Sequence, residues 1–210
     1  MKHWVFDLDG TLIDSHSAYF DSLQYVFVRH GLDLSEDDKK EVLRIAVKDR
    51  RSFFSRKLGT DRVDGALEML ETRLLDDHKK IKPFDGIPEV LKKLRSNNVK
   101  LAIWTAREMD SAVEALNHTG LNEYFSFYMS GSCVSNCKPD PEGLIRIAKQ
   151  FECDPTAISM VGDHDNDMLA AKACGARAIR ALWHNPSAVS DCKISDFQFR
   201  QVESFRDWVL

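Results

Sequence analysis

From Pro83 to about residue 181, short apolar runs alternate with stretches of helical spacing, which leaves few folds open to this chain. Strands are predicted at 99–105, 125–130, 157–162 and 176–181. Helices near 86–97, 107–118, 140–150 and 165–174 lie between or beside them. Val99–Thr105 and Ala157–Gly162 are nearly continuous apolar runs, as expected of strands covered on both faces. One more short run, Trp4-Val5-Phe6, opens the chain. The pattern predicts the α/β class, a Rossmann-like, doubly wound, mostly parallel sheet with helices on both faces. Ligands of such sheets collect beyond the carboxyl ends of the strands.

Residues 15 to about 80 have a different texture, with no convincing strand. Tyr19, Phe20, Leu23, Val26 and Phe27 recur at helical spacing, and Gly31 closes that helix. Ser35 followed by Asp38 opens another, carrying Val42, Leu43, Ile45 and Ala46. Further helical pieces run near 50–58 and 61–80, parted by Gly59. The segment reads as an all-helical insertion after the first strand. The expected division is an α/β core of residues 1–14 and 83–210 and a helical domain of residues 15–82.

The chain has 210 residues, 43% of them apolar and 30% charged, enough for a packed interior and a polar surface. Its net charge of −4 offers no basic field, so neither nucleic acid nor an anionic membrane is an expected partner. No apolar stretch approaches the roughly 18 residues of a membrane span. A cleaved leader is not expected either, because the first strand begins at Lys2 and ends in acidic residues. Cys133, Cys137, Cys153, Cys174 and Cys192 form an odd, scattered set without zinc spacing, which fits ordinary thiols in a reducing cytoplasm.

Chemistry concentrates where strands end. The first strand runs into Asp7-Leu8-Asp9-Gly10-Thr11, two acids at the edge of a buried element. Close like charges resist burial, so paired carboxylates persist there for the chemistry they do, as nucleophile, proton shuttle or cation ligand. Leu101-Ala102-Ile103-Trp104 delivers Thr105, and Ile158-Ser159-Met160-Val161 delivers Gly162-Asp163-His164-Asp165-Asn166-Asp167. Lys138 of Cys-Lys-Pro-Asp-Pro precedes a helix and offers one cation to the same edge. Several aspartates suit a hard divalent cation such as Mg²⁺, which could bridge to a phosphate group. Thr105, backbone N–H groups and Lys138 would complete a site for phosphoryl transfer.

Plainer readings stand beside each of these. An acidic turn with a permissive Gly10 explains the first motif. Thr105 reads equally as a cap for a helix starting at Arg107, and Lys138 as a solvated loop residue. Asp163 and Asp167 fit acids complementing a helix dipole. It is their joint arrival at one sheet edge that favours chemistry.

These motifs resemble the haloacid dehalogenase superfamily, in its phosphatase branch with a helical cap after the first motif. The likeness covers essentially the whole chain: Asp7-Leu8-Asp9-Gly10-Thr11, Thr105 after an apolar strand, Lys138 in Lys-Pro-Asp-Pro, and Gly162-Asp163 with Asp167. Pro83-Phe84-Asp85-Gly86 and Ala173-Cys174-Gly175-Ala176 are similar to connecting segments of phosphoglycolate-phosphatase-like members. The resemblance implies Asp7 as a nucleophile forming an aspartyl-phosphate, and Asp9 as the acid and base. It implies Mg²⁺ held by Asp7, the main-chain carbonyl of Asp9 and Asp163, with Asp167 acting directly or through water. Thr105 and Lys138 would bind the phosphoryl group of a small phosphorylated metabolite.

Some positions depart from the family. Many relatives carry Asn after the motif-two threonine. Here Ala106 stands there, with only its N–H to donate, followed by Arg107, which either reaches an anionic substrate or lies on a surface helix. His164 either tunes Asp163 or fills space. Lys48, Asp49, Arg50 and Arg51 form a basic junction that the resemblance turns toward the substrate, with Lys48 or Arg50 meeting a carboxylate or second phosphate. A solvated turn is the competing reading. Phosphomutases with this cap usually place a histidine where Tyr19 stands, which favours hydrolysis over mutase chemistry. The alternatives are a phosphomutase or phosphotransferase using the same aspartyl-phosphate, and a non-catalytic binding protein retaining the fold. The last should have lost one of Asp7, Asp9, Lys138 or Asp163. Phosphoglycolate, a sugar phosphate, a nucleoside monophosphate and pyrophosphate all fit the core equally, because it meets only the phosphoryl group, and monomer and dimer are both compatible with the sequence.

Overall fold

The structure, a computed structural model, describes residues 3–44, 50–97, 99–186 and 192–209. The chain divides into two compact units, one of Met1–Asp14 with Lys82–Leu210, the other of Ser15–Ile81. Among the described residues no helix is long and apolar enough to cross a membrane.

The first unit is built on β1 (His3–Phe6), β2 (Leu101–Trp104), β3 (Phe127–Met129), β4 (Ile158–Gly162), β5 (Arg177–Ala181) and β6 (Phe197–Phe199). All pairings are parallel, in the order β3-β2-β1-β4-β5-β6. This is the expected α/β Rossmann-like sheet. The order reverses direction between β1 and β4, where an open parallel sheet parts its helices and leaves a crevice. Register fixes what meets there. Phe6 lies opposite both Ile103 and Val161, so the residues just past all three strands reach one edge together.

Burial explains the strand choice. Every residue of β2 and β4 is buried, which rewards runs such as Leu-Ala-Ile-Trp. Val5, Ala102, Met160 and Ala178 pack with Leu144, Ile147 and Phe151 of α7 (Glu142–Phe151) and Met168 and Ala171 of α8 (Asp165–Ala173). Trp4 and Phe6 alternate to the other face and meet the rings of Phe205 and Phe125. That face also carries contacts between α5 (Ile87–Ser96) and α9 (Val202–Val209).

Several boundaries differ from the sequence expectation. α6 (Met109–His118) begins two residues after Arg107, with Glu108 at its N-cap, so Arg107 is not on a surface helix. The third strand spans only three residues. β6 and α9 extend the sheet beyond the predicted strands; a three-residue strand, Phe-Gln-Phe, is too short to carry a detectable period.

The second unit contains α1 (Ser15–Arg29), α2 (Glu36–Arg44), α3 (Arg50–Leu58) and α4 (Val63–Asp77). The capping box expected at Ser35 is present: Asp38 N donates to Ser35 Oγ at 3.2 Å, and Ser35 N donates to Asp38 Oδ2 at 3.1 Å. Leu23, Val26 and Phe27 pack against Val42, Phe53, Phe54, Leu58, Ala66 and Leu70. The rings of Phe27, Phe53 and Phe54 lie 5.7–6.0 Å apart. Each such burial contributes roughly 1.5–3 kcal/mol, so this unit has a core of its own. The predicted core positions Ile45 and Ala46 lie outside the described residues.

Candidate active site

Asp7 leaves β1 with its N–H donating to Val161 O at 2.8 Å, which ties it to β4 at the crevice. The chain then folds back on itself. Gly10 takes φ 70° and donates to Ile13 O at 3.0 Å, while Leu12 N donates to Leu8 O at 2.9 Å. A residue with a side chain rarely adopts that φ, hence glycine. Leu8, Leu12 and Ile13 are fully buried and Trp183 Nε1 donates to Thr11 O at 2.9 Å, so apolar anchors fix the acidic turn.

Lys138 is the hub. Its Nζ lies 2.6 Å from Asp7 Oδ1 and 2.7 Å from Asp167 Oδ1, above the Trp104 ring at 5.1 Å. Its side chain is only 10% exposed, which removes the reading of a solvated loop lysine. Trp104 is seated because Gly143 on α7 has no side chain: a Cβ there would overlap the indole. Gly162 serves Asp167 in the same manner, since a Cβ at 162 would overlap that carboxyl group. Asp167 Oδ2 accepts from His164 N at 3.1 Å, and His164 Nδ1 accepts from Asn166 N at 3.2 Å. His164 is therefore the N-cap of α8, and Asp167 belongs both to its capping box and to the ion-pair cluster.

One carboxylate oxygen from each of Asp7, Asp163 and Asp167 lies within 4.8 Å of the others. Three hard oxygen donors at that spacing fit a divalent cation of the Mg²⁺ type. The charges agree. Asp7, Asp9, Asp163 and Asp167 oppose Lys138 and Arg107, four negative groups against two positive, and a dication would close the difference. Burial pushes Asp7 up to about 7; Lys138 opposes this, and the neighbouring Asp167 and Asp9 add to it. Asp163 is held well above the usual carboxylate range by burial first, then by Asp7 and Asp167. Burial would lower Lys138, but Asp167 and Asp7 outweigh it and hold the ammonium charged.

The β2 end contributes differently from expectation. Thr105 is buried, its N donates to Met129 O at 3.0 Å, and its Oγ1 accepts from Arg107 N at 3.1 Å. This bond closes a local turn and is not the cap of a helix starting at Arg107. Ala106 is held close to Gly131, where an added Cβ would lie 3.0 Å from its carbonyl oxygen. The Arg107 guanidinium turns to Asp9, with Nε 2.7 Å from Oδ2 and Nη2 2.5 Å from Oδ1. The Asp9 carboxylate thus stands outside the aspartate triplet.

One neighbour escaped the sequence reading. His184, just beyond β5, has Nε2 3.9 Å from Asp163 Oδ2. Its only sequence signal is its position past the end of a strand. In the helical unit, Arg50 opens α3 with its guanidinium 5.0 Å from the Tyr19 ring centre, and Arg51 pairs with Asp64 at 2.6 Å. Lys48 and Asp49 lie outside the described residues.

The sequence model of haloacid dehalogenase-like hydrolases matches residues 4–181. A phosphorylated carbohydrates phosphatase of Thermotoga maritima is 26% identical over 190 residues, 88% of this chain and 87% of that protein. Phosphoglycolate phosphatase 1 of Pseudomonas aeruginosa is 30% identical over 182 residues, 82% of this chain and 66% of that protein. Among solved structures, a HAD family hydrolase of Deinococcus radiodurans with bound phosphate and sodium superposes with a TM-score of 0.85. It shares 21% identity over 100% of this chain and 95% of that one, a likeness of fold. With its motifs gathered at one sheet edge and that match spanning most of its length, this chain belongs to the haloacid dehalogenase-like hydrolase family, in its phosphatase branch.

Proposed function

We propose that this protein is a Mg²⁺-dependent phosphatase of the cytoplasm that hydrolyses a small phosphomonoester metabolite through an aspartyl-phosphate. The observation that carries the reading is Lys138 Nζ bridging Asp7 and Asp167 while Asp7, Asp163 and Asp167 converge within 4.8 Å. In this reading Asp7, Asp163, Asp167 and the Asp9 carbonyl hold Mg²⁺, which supplies positive charge against the phosphoryl oxygens. Lys138, Thr105 and the Ala106 N–H bind those oxygens.

A carboxylate oxygen of Asp7 attacks phosphorus, the bond to the leaving oxygen breaks, and Asp9 in its protonated form gives that oxygen its proton. Water then attacks phosphorus and yields a proton to the Asp9 carboxylate. The phosphorus–Asp7 bond breaks and inorganic phosphate leaves. Uncatalysed phosphomonoester hydrolysis is among the slowest reactions known, so the site must lower the barrier by upwards of ~20 kcal/mol. This demand accounts for so many charges in one place. The helical domain, residues 15–82, acts as the cap that selects the leaving group, with Lys48 and Arg50 as its candidate anion contacts.

The test is a phosphate-release screen over phosphorylated metabolites with and without Mg²⁺, beside Asp7→Asn. We expect Asp7→Asn to lose more than ~10⁴-fold in kcat on every substrate. A fully active Asp7→Asn protein would overturn the mechanism.

A further inference from the structure

We infer that Arg107 is a positioning residue, whose forked guanidinium fixes the Asp9 carboxylate for proton transfer; the inference rests on the function proposed above. Two parallel bonds, 2.7 Å to Oδ2 and 2.5 Å to Oδ1, leave that carboxylate no rotation about its last torsion. The guanidinium is itself fixed. Nη1 donates to Ser111 Oγ at 3.2 Å on the first turn of α6, and the side chain is 18% exposed. The main chain is tied at both ends: Arg107 N donates to Thr105 Oγ1 at 3.1 Å, and Gly131 N donates to Arg107 O at 3.3 Å.

Electrostatics gives the fork its purpose. Asp9 and Asp7 repel each other, and Asp163 and Asp167 add to the same negative field. Without a cation on its far side, the Asp9 carboxylate would swing away from Asp7, and thus from the phosphorus that Asp7 attacks. Arg107 holds it in place through two oxygens at once. A lysine could reach only one, because an ammonium is a point charge without a planar fork. The same fork explains how the chain does without a side-chain donor at Ala106. The β2 loop turns its guanidinium to the acid–base residue and leaves the phosphoryl group to Thr105, the Ala106 N–H and Lys138.

Three probes separate this role from its rivals: p-nitrophenyl phosphate, glycerol 1-phosphate and phosphoglycolate. A p-nitrophenolate leaves with little help from a proton, whereas the two alkoxides depend on it. In Arg107→Ala, kcat/KM on both alkyl phosphates should fall on the order of 100-fold with KM nearly unchanged. On p-nitrophenyl phosphate kcat/KM, which ends at departure of the leaving group and so excludes the later Asp9-assisted hydrolysis, should fall less than about threefold. Arg107→Lys should recover part of the loss and keeps the test sound if the alanine protein melts early. In an Asp9→Asn background, Arg107→Ala should add nothing further. Equal loss of kcat/KM on all three probes would make Arg107 a phosphoryl ligand and overturn the assignment, as would a rise in KM confined to phosphoglycolate. No change on any probe would also overturn it. Failure of the unmutated protein on all three in Mg²⁺ would instead count against the function itself, and the Arg107 role would fall with it.

Discussion

The two units differ in how much charge they take inside. At the sheet edge, Lys138 pairs with Asp7 and Asp167 and Arg107 pairs with Asp9, at 2.5–2.7 Å and with side chains 2–27% exposed. In the helical unit, pairs such as Lys40–Asp37 at 3.1 Å and Arg51–Asp64 at 2.6 Å lie in solvent, and the interior holds phenylalanine and leucine. Exposed pairs cost little to keep and contribute little, typically about 0.2–1 kcal/mol. Buried charges cost several kcal/mol each to desolvate, and apolar residues in their place often give a more stable protein. Retaining four acids and two cations in one crevice costs a fold stability, which the chemistry proposed for them would account for. The helical unit buries one acid, Asp38, 6% exposed and paired with Lys57, against four acids gathered at the sheet edge.

Removing the hub tests this contrast most severely. Lys138→Ala should lower kcat/KM by about 10³-fold or more, the scale of losing a charge aimed at the transition state. It should also lower the melting temperature of the metal-free protein, and more at pH 8 than at pH 5, because the stranded acids escape repulsion at low pH by taking up protons.

A smaller effect follows from Asp7 itself. Its carboxyl sits at about 7 when folded and near 3.8 when unfolded, so between those values the folded state binds the extra proton. Stability from this group is complete below pH 4 and is lost as pH rises through 7. The metal-free protein should therefore melt lower at pH 8 than at pH 5.5. Added Mg²⁺ should raise the melting temperature more at pH 8, where it need not compete with protons. An equal Mg²⁺ shift at both values would mean that the aspartate triplet is not where the ion binds. The smallest effect belongs to the other region. Lys40→Ala removes an ion pair whose members are 64% and 92% exposed, and should change stability by less than about 0.5 kcal/mol in a denaturant titration.

These two regions were not equally legible in sequence. The sheet was readable because strands covered on both faces must be apolar throughout, as Leu101–Trp104 and Ile158–Gly162 are. The acids stood out because nothing in packing calls for Asp7 or Asp163 at the end of such runs. Pairings across long separations left no local trace. Arg107 and Asp9 are 98 residues apart, and only the register of β1 against β2 brings their loops together. Thr105 looked like a helix cap because its real partner, Arg107 N, is also what a cap would seek. Gly143 and Trp104 look unrelated until a helix is laid on a strand. Polar groups whose partners are one turn away, such as Ser35 and Asp38, were recoverable from spacing alone.

The chain leaves the sheet and returns to it through a single doorway. Ile13 bridges Pro83 in antiparallel fashion, and Asp14 N donates to Lys82 O at 2.9 Å. Whatever is threaded between those two points begins and ends at the same place, so exchanging it asks nothing of the strand registers beneath. Closing a longer or shorter detour there changes the entropic cost only logarithmically. A detour of another length or fold can thus be carried at that point while the sheet stays as it is.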